Sequence, residues 1–183
     1  MLLKFFIYSI LGCGLESVWG LVKTGRFRSR RMLLGLPMCP VYGVGGVLMS
    51  VFLSGFRDNL LVLYALGAIL ASAVELGFFI IGELSFGIML WDYRDKPYSF
   101  MGGVCGEYTV WWGLVAVIFV RYLDPAADYI LSGMNAYSEL TATVFLAVIT
   151  LADTVKTTNI LKAYRTGDID KLPDCFWYME KIS

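Results

Sequence analysis

Apolar runs of about twenty residues, separated by short polar segments, most limit what this chain can become. A helix of that length bridges the roughly 30 Å hydrocarbon layer of a bilayer. Backbone polar groups in lipid must be satisfied within the protein, which favours helices wherever the runs are long. The runs fall at about 2–22, 38–56, 60–82, 103–122 and 139–161. With 58% of 183 residues apolar and a mean hydropathy of +0.68, they use up most of the chain. The expectation is an all-α, polytopic integral membrane protein. It has one transmembrane domain over 1–183, about five transmembrane helices, polar and partly re-entrant cytoplasmic loops, and a polar cytoplasmic tail over 162–183. The first run is read as a membrane helix and not as a removed signal peptide. It is too long, it holds Glu16 and Trp19, and it ends in a basic block instead of a small-residue cleavage site.

Charge placement gives the orientation. Lys23, Arg26, Arg28, Arg30 and Arg31 crowd into the segment after the first run, the pattern of a cytoplasmic loop. If that loop is cytoplasmic, an odd number of spans puts the segment near Trp91 and the C-terminal tail on the same side. Of fifteen Lys and Arg residues, only Lys4, Arg57 and Arg121 fall away from those three segments. The N-terminus is therefore expected outside a bacterial cell membrane and the C-terminus in the cytoplasm. Formal net charge is zero, so no global field points to nucleic acid.

Other absences narrow the chemistry. There is no histidine, the commonest general base and metal ligand. Cys13, Cys39, Cys105 and Cys175 are scattered without a C-x-x-C pair and read as small buried hydrophobes. No metal or cofactor is implied.

Two polar segments carry the chemistry. Trp91 to Tyr108 packs aromatics, carboxylates, two cations, Pro97 and the Gly102–Gly103 pair into a stretch far richer than a turn requires. Gly35 to Gly46 contains Pro37 and Pro40, which deny a regular helix through the entry to the second run. Gly12, Glu16 and Gly20 fall four apart, as do Gly67, Ala71 and Glu75. Small residues at that spacing let helices approach closely and put each glutamate in a helix–helix seam. A central acidic residue costs about 2.5–3.5 kcal/mol to insert, so Glu16, Glu75 and Glu107 need partners. One arrangement is an inward-open polar cavity lined by these carboxylates, with Arg30, Arg31, Asp92 and Arg94 at its mouth. The other is a structural salt-bridge network. In the first, Tyr42, Trp91 and Tyr93 join the substrate-binding set, and Asp92 is expected to face Arg30 or Arg31. Asp153, three residues before Lys156, reads as one half of a local ion pair. Trp19, Trp91, Tyr93, Tyr98, Trp111 and Trp112 read as interfacial belt residues or, with the carboxylates, as walls of an organic-cation site.

The chain also shows an internal similarity. At an offset of 59 residues Glu16 meets Glu75 and Gly43 meets Gly102, while Pro37 falls one place from Pro97. The two halves would form a parallel repeat, an arrangement common in transporters.

The segments Arg30-Arg31-x-Leu33-x-Gly35-x-Pro37-x-Cys39-Pro40-Val41-Tyr42-Gly43 and Trp91-Asp92-Tyr93-x-x-x-Pro97, followed by Gly103-x-Cys105, resemble the bacterial ABC-transporter type IV permease family (CmpB-like) over roughly residues 4 to 160. The chain departs from that pattern at Gly102–Gly103, where the resemblance leads to Gly-Arg, so one cation of the family pattern is missing. The resemblance implies an integral membrane transport component. No G-x-x-x-x-G-K-[S/T] segment is present, so ATP hydrolysis would fall to a separate ATPase subunit, and five spans are few enough to expect a homo-oligomer. The alternatives are a membrane-embedded enzyme acting on a lipid or phosphorylated substrate, and a non-catalytic accessory membrane protein. Lack of histidine argues against an enzyme.

Overall fold

The computed structural model describes residues 1–27, 31–176 and 180–181. Among the described residues the chain is all-α apart from one minimal strand pair. The helices are α1 (Leu2–Thr24), α2 (Pro40–Leu53, extended by a 3-10 turn, Ser54–Phe56), α3 (Leu60–Phe86), α4 (Gly106–Ile118), α5 (Asp124–Ser132) and α6 (Ala136–Thr166). Two-residue strands β1 (Ile88–Met89) and β2 (Glu180–Lys181) pair antiparallel. Three helical segments, Leu2–Val22, Leu60–Phe86 and Ala136–Thr166, are long and apolar enough to cross a membrane. The other two expected spans are shorter. With 14 and 13 residues, α2 and α4 each cover only about 20 Å as regular helix.

The boundaries follow from the sequence. Asn59 and Asn135 cap α3 and α6, their side chains accepting from the N–H groups of Val62 and Ser138. All three long helices end on a left-handed glycine, Gly25, Gly87 or Gly167. Between α4 and α5 the helix continues through a π turn, Phe119–Leu123. Here the Asp124 N–H reaches back to the Phe119 carbonyl. In that register the Val120 carbonyl would accept from residue 125, which is proline and has no N–H. Arg57 Nε fills the gap, donating to the Val120 carbonyl at 3.1 Å.

Helices α1 to α4 pack around a common axis. Glycines set the close approaches: Gly12 lies under the Tyr42 ring, Gly46 under Tyr8, Gly67 against Ala116 and Gly113 against Tyr64. A Cβ at any of these would collide with the facing side chain. Gly67, Ala71 and Glu75 share the buried face of α3, as their spacing suggested. Tyr8, Leu63, Ala116 and Val120 form the centre of the main apolar core.

Helix α6 stands to one side and leaves most of its apolar length exposed. Arg165 Nη1 donates to the Ser85 carbonyl of α3 at 3.1 Å, and further polar ties run through the segment before α2. The Asp153 carboxylate accepts the N–H groups of Gly35 at 3.0 Å and Leu36 at 2.7 Å, and Thr157 Oγ1 accepts from Leu34 at 2.9 Å. Asp153 thus satisfies another loop's backbone, where the sequence suggested a local pair with Lys156. This loop reaches far back along α1. The Cys39 N–H donates to the Ser9 carbonyl at 3.0 Å, and Ser9 lies about 22 Å of helix rise below Thr24.

A buried ion pair closes the opposite end of the bundle. Lys4 Nζ lies 2.8 Å from Asp124 Oδ1 and 2.7 Å from Asp128 Oδ1, and donates to Ser50 at 3.3 Å. Tyr8 donates to the same Asp124 oxygen at 2.6 Å, and Arg57 stands 4.0 Å from the other. Burial alone would raise the Asp124 carboxyl, but hydrogen bonds from Lys4, Tyr8 and Ser50 outweigh it and hold it below the usual range.

Removing one member of this pair leaves a buried charge. Lys4→Met should cost about 3–5 kcal/mol in reversible unfolding in mixed micelles, and the double variant Lys4→Met/Asp124→Leu much less. The Asp124 contribution is present above the ordinary aspartate range near 3.9 and should fade as pH falls below it. A Lys4→Met protein as stable as wild type would contradict this account.

Candidate functional site

Two cavities lie in series along the axis of α1 to α4. The first, about 270 Å³, sits at the end where α1 and α3 finish. Its walls are Glu16 and Trp19 of α1, Tyr42 of α2, Glu75 of α3, and Tyr108, Trp111 and Trp112 of α4. Met32 and Cys39 from the loop before α2, and Leu90, Trp91 and Tyr93 from the loop before α4, complete it. The second cavity, about 360 Å³, continues past Tyr42, Glu75 and Trp112, which line both. It is walled mainly by apolar side chains such as Leu11, Met49, Val74 and Phe119, with Tyr8 at the Asp124 end.

Local sequence explains the placement of each wall. Cys39 holds an extended conformation as the cap of α2 and Pro40 opens the helix, which puts Tyr42 in the first turn. Gly12 leaves a slot on α1 for the Tyr42 ring. Glu16, one turn further along, accepts the Tyr42 hydroxyl at 2.5 Å. The Gly12–Glu16 spacing therefore serves both packing and hydrogen bonding.

Glu75 is 5% exposed. Trp112 Nε1 donates to its Oε2 at 2.8 Å and the Tyr93 hydroxyl to its Oε1 at 3.2 Å. Both donors are neutral, and among the described residues no cation forms a salt bridge with Glu75. Burial pushes the Tyr93 phenol well above its usual range, and the nearby Glu75 and Glu16 carboxylates push it further, so it stays a neutral donor. The rings form a near-continuous lining. Tyr93 and Tyr108 centroids are 4.8 Å apart, Tyr42 and Trp112 5.6 Å, Trp19 and Trp111 6.3 Å, and Trp91 stacks on Tyr93 at 6.5 Å.

The loop from Ile88 to Cys105 is a folded unit. Tyr93 N–H donates to the Gly102 carbonyl at 3.0 Å and Trp91 Nε1 to the Gly103 carbonyl at 2.8 Å. Tyr98 and Met101 both adopt positive φ, a costly conformation for such residues. Trp91 also joins a buried apolar cluster containing Leu90, Leu161 and Phe176, against which Met32 and Leu34 of the first loop pack. The tail thus packs onto this loop through Phe176 and β2.

The cavity gathers Glu16, Tyr42, Glu75, Trp91 and Tyr93 from the sequence-derived set. The remaining described members lie outside the lining. Glu107 is partly exposed and pairs with Lys96 at 3.2 Å, which raises the lysine through that hydrogen bond first and through charge second. Asp92 does not face Arg31. It pairs with Arg94 at 3.3 Å and accepts the Arg94 N–H at 3.0 Å. The short i,i+2 connection closes a turn within the loop and is met more readily than a contact across two loops. Arg94 also approaches Met89 Sδ, and Arg31 donates to the Gly35 carbonyl at 3.4 Å. Arg30 lies outside the described residues. Of the aromatics singled out by sequence, Tyr98 points outward at 90% exposed. Sequence reasoning passed over Tyr108 and did not see that Trp112 is the Glu75 donor. The only sequence signal for Tyr108 is its distance from Cys105, which repeats that of Tyr42 from Cys39. Among the described residues no group of three or more His, Cys, Asp or Glu side chains could hold a metal ion.

The family described as "Putative ABC-transporter type IV" matches residues 3–158. The chain belongs to this family. It is a membrane protein of that family with three long candidate spans, and the matched region contains every wall of both cavities. No curated protein and no solved structure matches the chain.

Because the Glu75 partners are neutral donors, Glu75→Gln strands no buried cation. The variant should fold with a stability loss of about 1 kcal/mol, the ordinary size of one altered hydrogen bond, measured as the shift in the detergent unfolding midpoint. A loss of about 3–5 kcal/mol, the scale for a broken buried ion pair, would show a cation partner.

Proposed function

We propose that this chain is the membrane-spanning component of a transporter, and that the cavity between α1 and α4 is its inward-facing substrate site. The observation that carries this reading is the serial pair of cavities along the helix axis. The first is polar at Glu16 and Glu75, the second is apolar, and the Lys4–Asp124 pair stands beyond them. A pocket enclosed by helices, largely apolar with a few convergent polar groups, is the common form of a small-molecule site. Family membership supports transport, and the family description supports a separate ATPase as a partner.

In this reading the chain has five spans, with α2 and α4 lengthened by the loops that precede them. The loop from Met32 to Cys39 is re-entrant. Irregular backbone at membrane depth is tolerated only where protein or water surrounds it, and Asp153 and Thr157 supply its hydrogen-bond partners. The N-terminus lies outside the bacterial cell membrane and the tail lies in the cytoplasm, as the positive-inside bias favours. Five spans make a homo-oligomer the natural working unit. Reading the site as a lipid- or phosphate-processing enzyme draws less support, because the described lining residues include no Arg or Lys.

Cysteine accessibility tests the orientation and the opening together. In a variant lacking the four native cysteines, a cysteine replacing exposed Asp58 should react with an impermeant maleimide added outside intact cells. One replacing exposed Asp95 should react only in inverted vesicles. A cysteine at Val115, which lines both cavities, should be reached by a small charged thiol reagent from the cytoplasmic face alone. Reaction of Val115→Cys from outside, or the reverse pattern at Asp58 and Asp95, would sink the inward-facing reading.

A further inference from the structure

We infer that the first cavity binds an organic cation, specifically an alkylammonium group whose apolar substituent extends into the second cavity. The inference rests on the proposed transport role and adds its substrate class.

The argument comes from what the lining has left to offer. Its hydrogen-bond donors are largely committed to the protein. Tyr42 donates to Glu16, Tyr93 and Trp112 donate to Glu75, and Trp91 donates to the Gly103 carbonyl. An anion would need free donors or a cation in the wall. A sugar or other polyol would need many donors and acceptors. What remains is the Glu75 carboxyl, whose partners among the described residues are neutral donors, and the faces of the surrounding rings. Ring faces are electronegative, so each wall adds attraction for a cation and none for an anion. Burial strengthens this by removing the competing water.

The second cavity gives the other half of the ligand. It opens from the first at Tyr42, Glu75 and Trp112, and its further walls, Leu11, Met49, Val74 and Phe119, are apolar. A charged group beside Glu75 would therefore carry a short hydrocarbon chain down the bundle axis. An inorganic cation makes poor use of such surroundings, since carbon walls cannot replace its hydration shell.

Four of the five tryptophans, Trp19, Trp91, Trp111 and Trp112, line the first cavity, so intrinsic fluorescence reports its occupancy. The full chain in lipid nanodiscs is titrated with hexyltrimethylammonium, with 1-hexanol as the neutral comparison and hexane-1-sulfonate as the anionic one. Saturable quenching by the ammonium compound is expected at least tenfold tighter than for either comparison. Glu75→Gln should weaken the ammonium compound at least tenfold and leave 1-hexanol unchanged. Trp111→Leu, which leaves Glu75 and its two donors in place, should weaken it at least threefold, again sparing 1-hexanol. Equal binding of all three compounds, preference for the sulfonate, or full affinity in both variants would overturn the inference. The accessibility pattern of Val115→Cys is independent of ligand class. A failed titration with that pattern intact rejects the cation and keeps the transport reading.

Discussion

The carboxylate of Asp153 is the contact on which the cavity depends. It accepts the Gly35 and Leu36 N–H groups, and Thr157 one turn later accepts that of Leu34. Without these acceptors three successive backbone donors between α6 and the bundle would lose their partners. With them, irregular backbone runs down the side of α1 as far as Ser9 and starts α2 there. The start of α2 fixes Tyr42 over Gly12 and against Glu16. Gly35 is part of the same arrangement, since a Cβ there would meet Asp153 Oδ1 at 3.3 Å. Helix α6, though it lines neither cavity, therefore acts as the acceptor that allows the first loop to form one wall of the first.

Among the described residues three buried carboxylates, Asp124, Asp153 and Glu75, are stabilised in three different ways. Asp124 has a cation within 2.8 Å and a tyrosine hydroxyl besides, so its charge is matched and its role is to hold α1, α2 and α5 together. Asp153 is matched by backbone dipoles and holds a loop. Glu75 has two neutral side-chain donors and a cavity in front of it. Among the described residues, only in the third case do neutral side chains alone hold the carboxyl beside a cavity. An acidic residue in an apolar helix is costly in all three settings, so its presence alone does not tell them apart. The partner's charge does.

Much of this was legible in the sequence. The apolar runs give the helices, and the four-residue spacing of Gly12 with Glu16 and of Gly67, Ala71 and Glu75 gives the buried faces. The aromatic and carboxylate composition of the Trp91–Tyr108 stretch marks one side of the candidate site. Pairings were less legible, because they are set by tertiary approach. Lys4 and Asp124 are 120 residues apart, and no periodicity links them. Asp153 has a lysine within helical reach, which hides its use as a backbone acceptor. Asp92 and Glu107 look equivalent to Glu75 by composition, yet each sits beside a cation of its own loop, Arg94 or Lys96. A nearby partner satisfied them before a distant one could. Span length was less legible for a related reason. The run expected at 38–56 takes in Met38 and Cys39, while Pro37 denies a helix there and α2 starts only at Pro40.

The two halves resemble each other in a way that residue offset alone misplaces. An offset of 59 aligns Gly43, inside α2, with Gly102, which lies in a loop before α4. The structural counterparts are the helix caps, Cys39 and Cys105, at 105 − 39 = 66. Each is followed three residues later by a tyrosine, Tyr42 or Tyr108, and both tyrosines line the first cavity. Each half is thus a long helix ending on a left-handed glycine, an irregular loop, a cysteine cap and a second helix with tyrosine in its first turn. The long helices supply Glu16 and Glu75, which remain 59 residues apart because the extra residues of the second half lie beyond Glu75. Those extra residues belong to the longer end of α3 and to the loop that brings Trp91 and Tyr93 over the cavity. The first half has no counterpart to this lid of aromatics, so its glutamate is held by the tyrosine of its own second helix. The second glutamate is held by the lid and by Trp112. The asymmetry follows from loop length and places the Trp91 loop in direct contact with Glu75, so any movement of that loop must alter the hydrogen bonding of the carboxylate it covers.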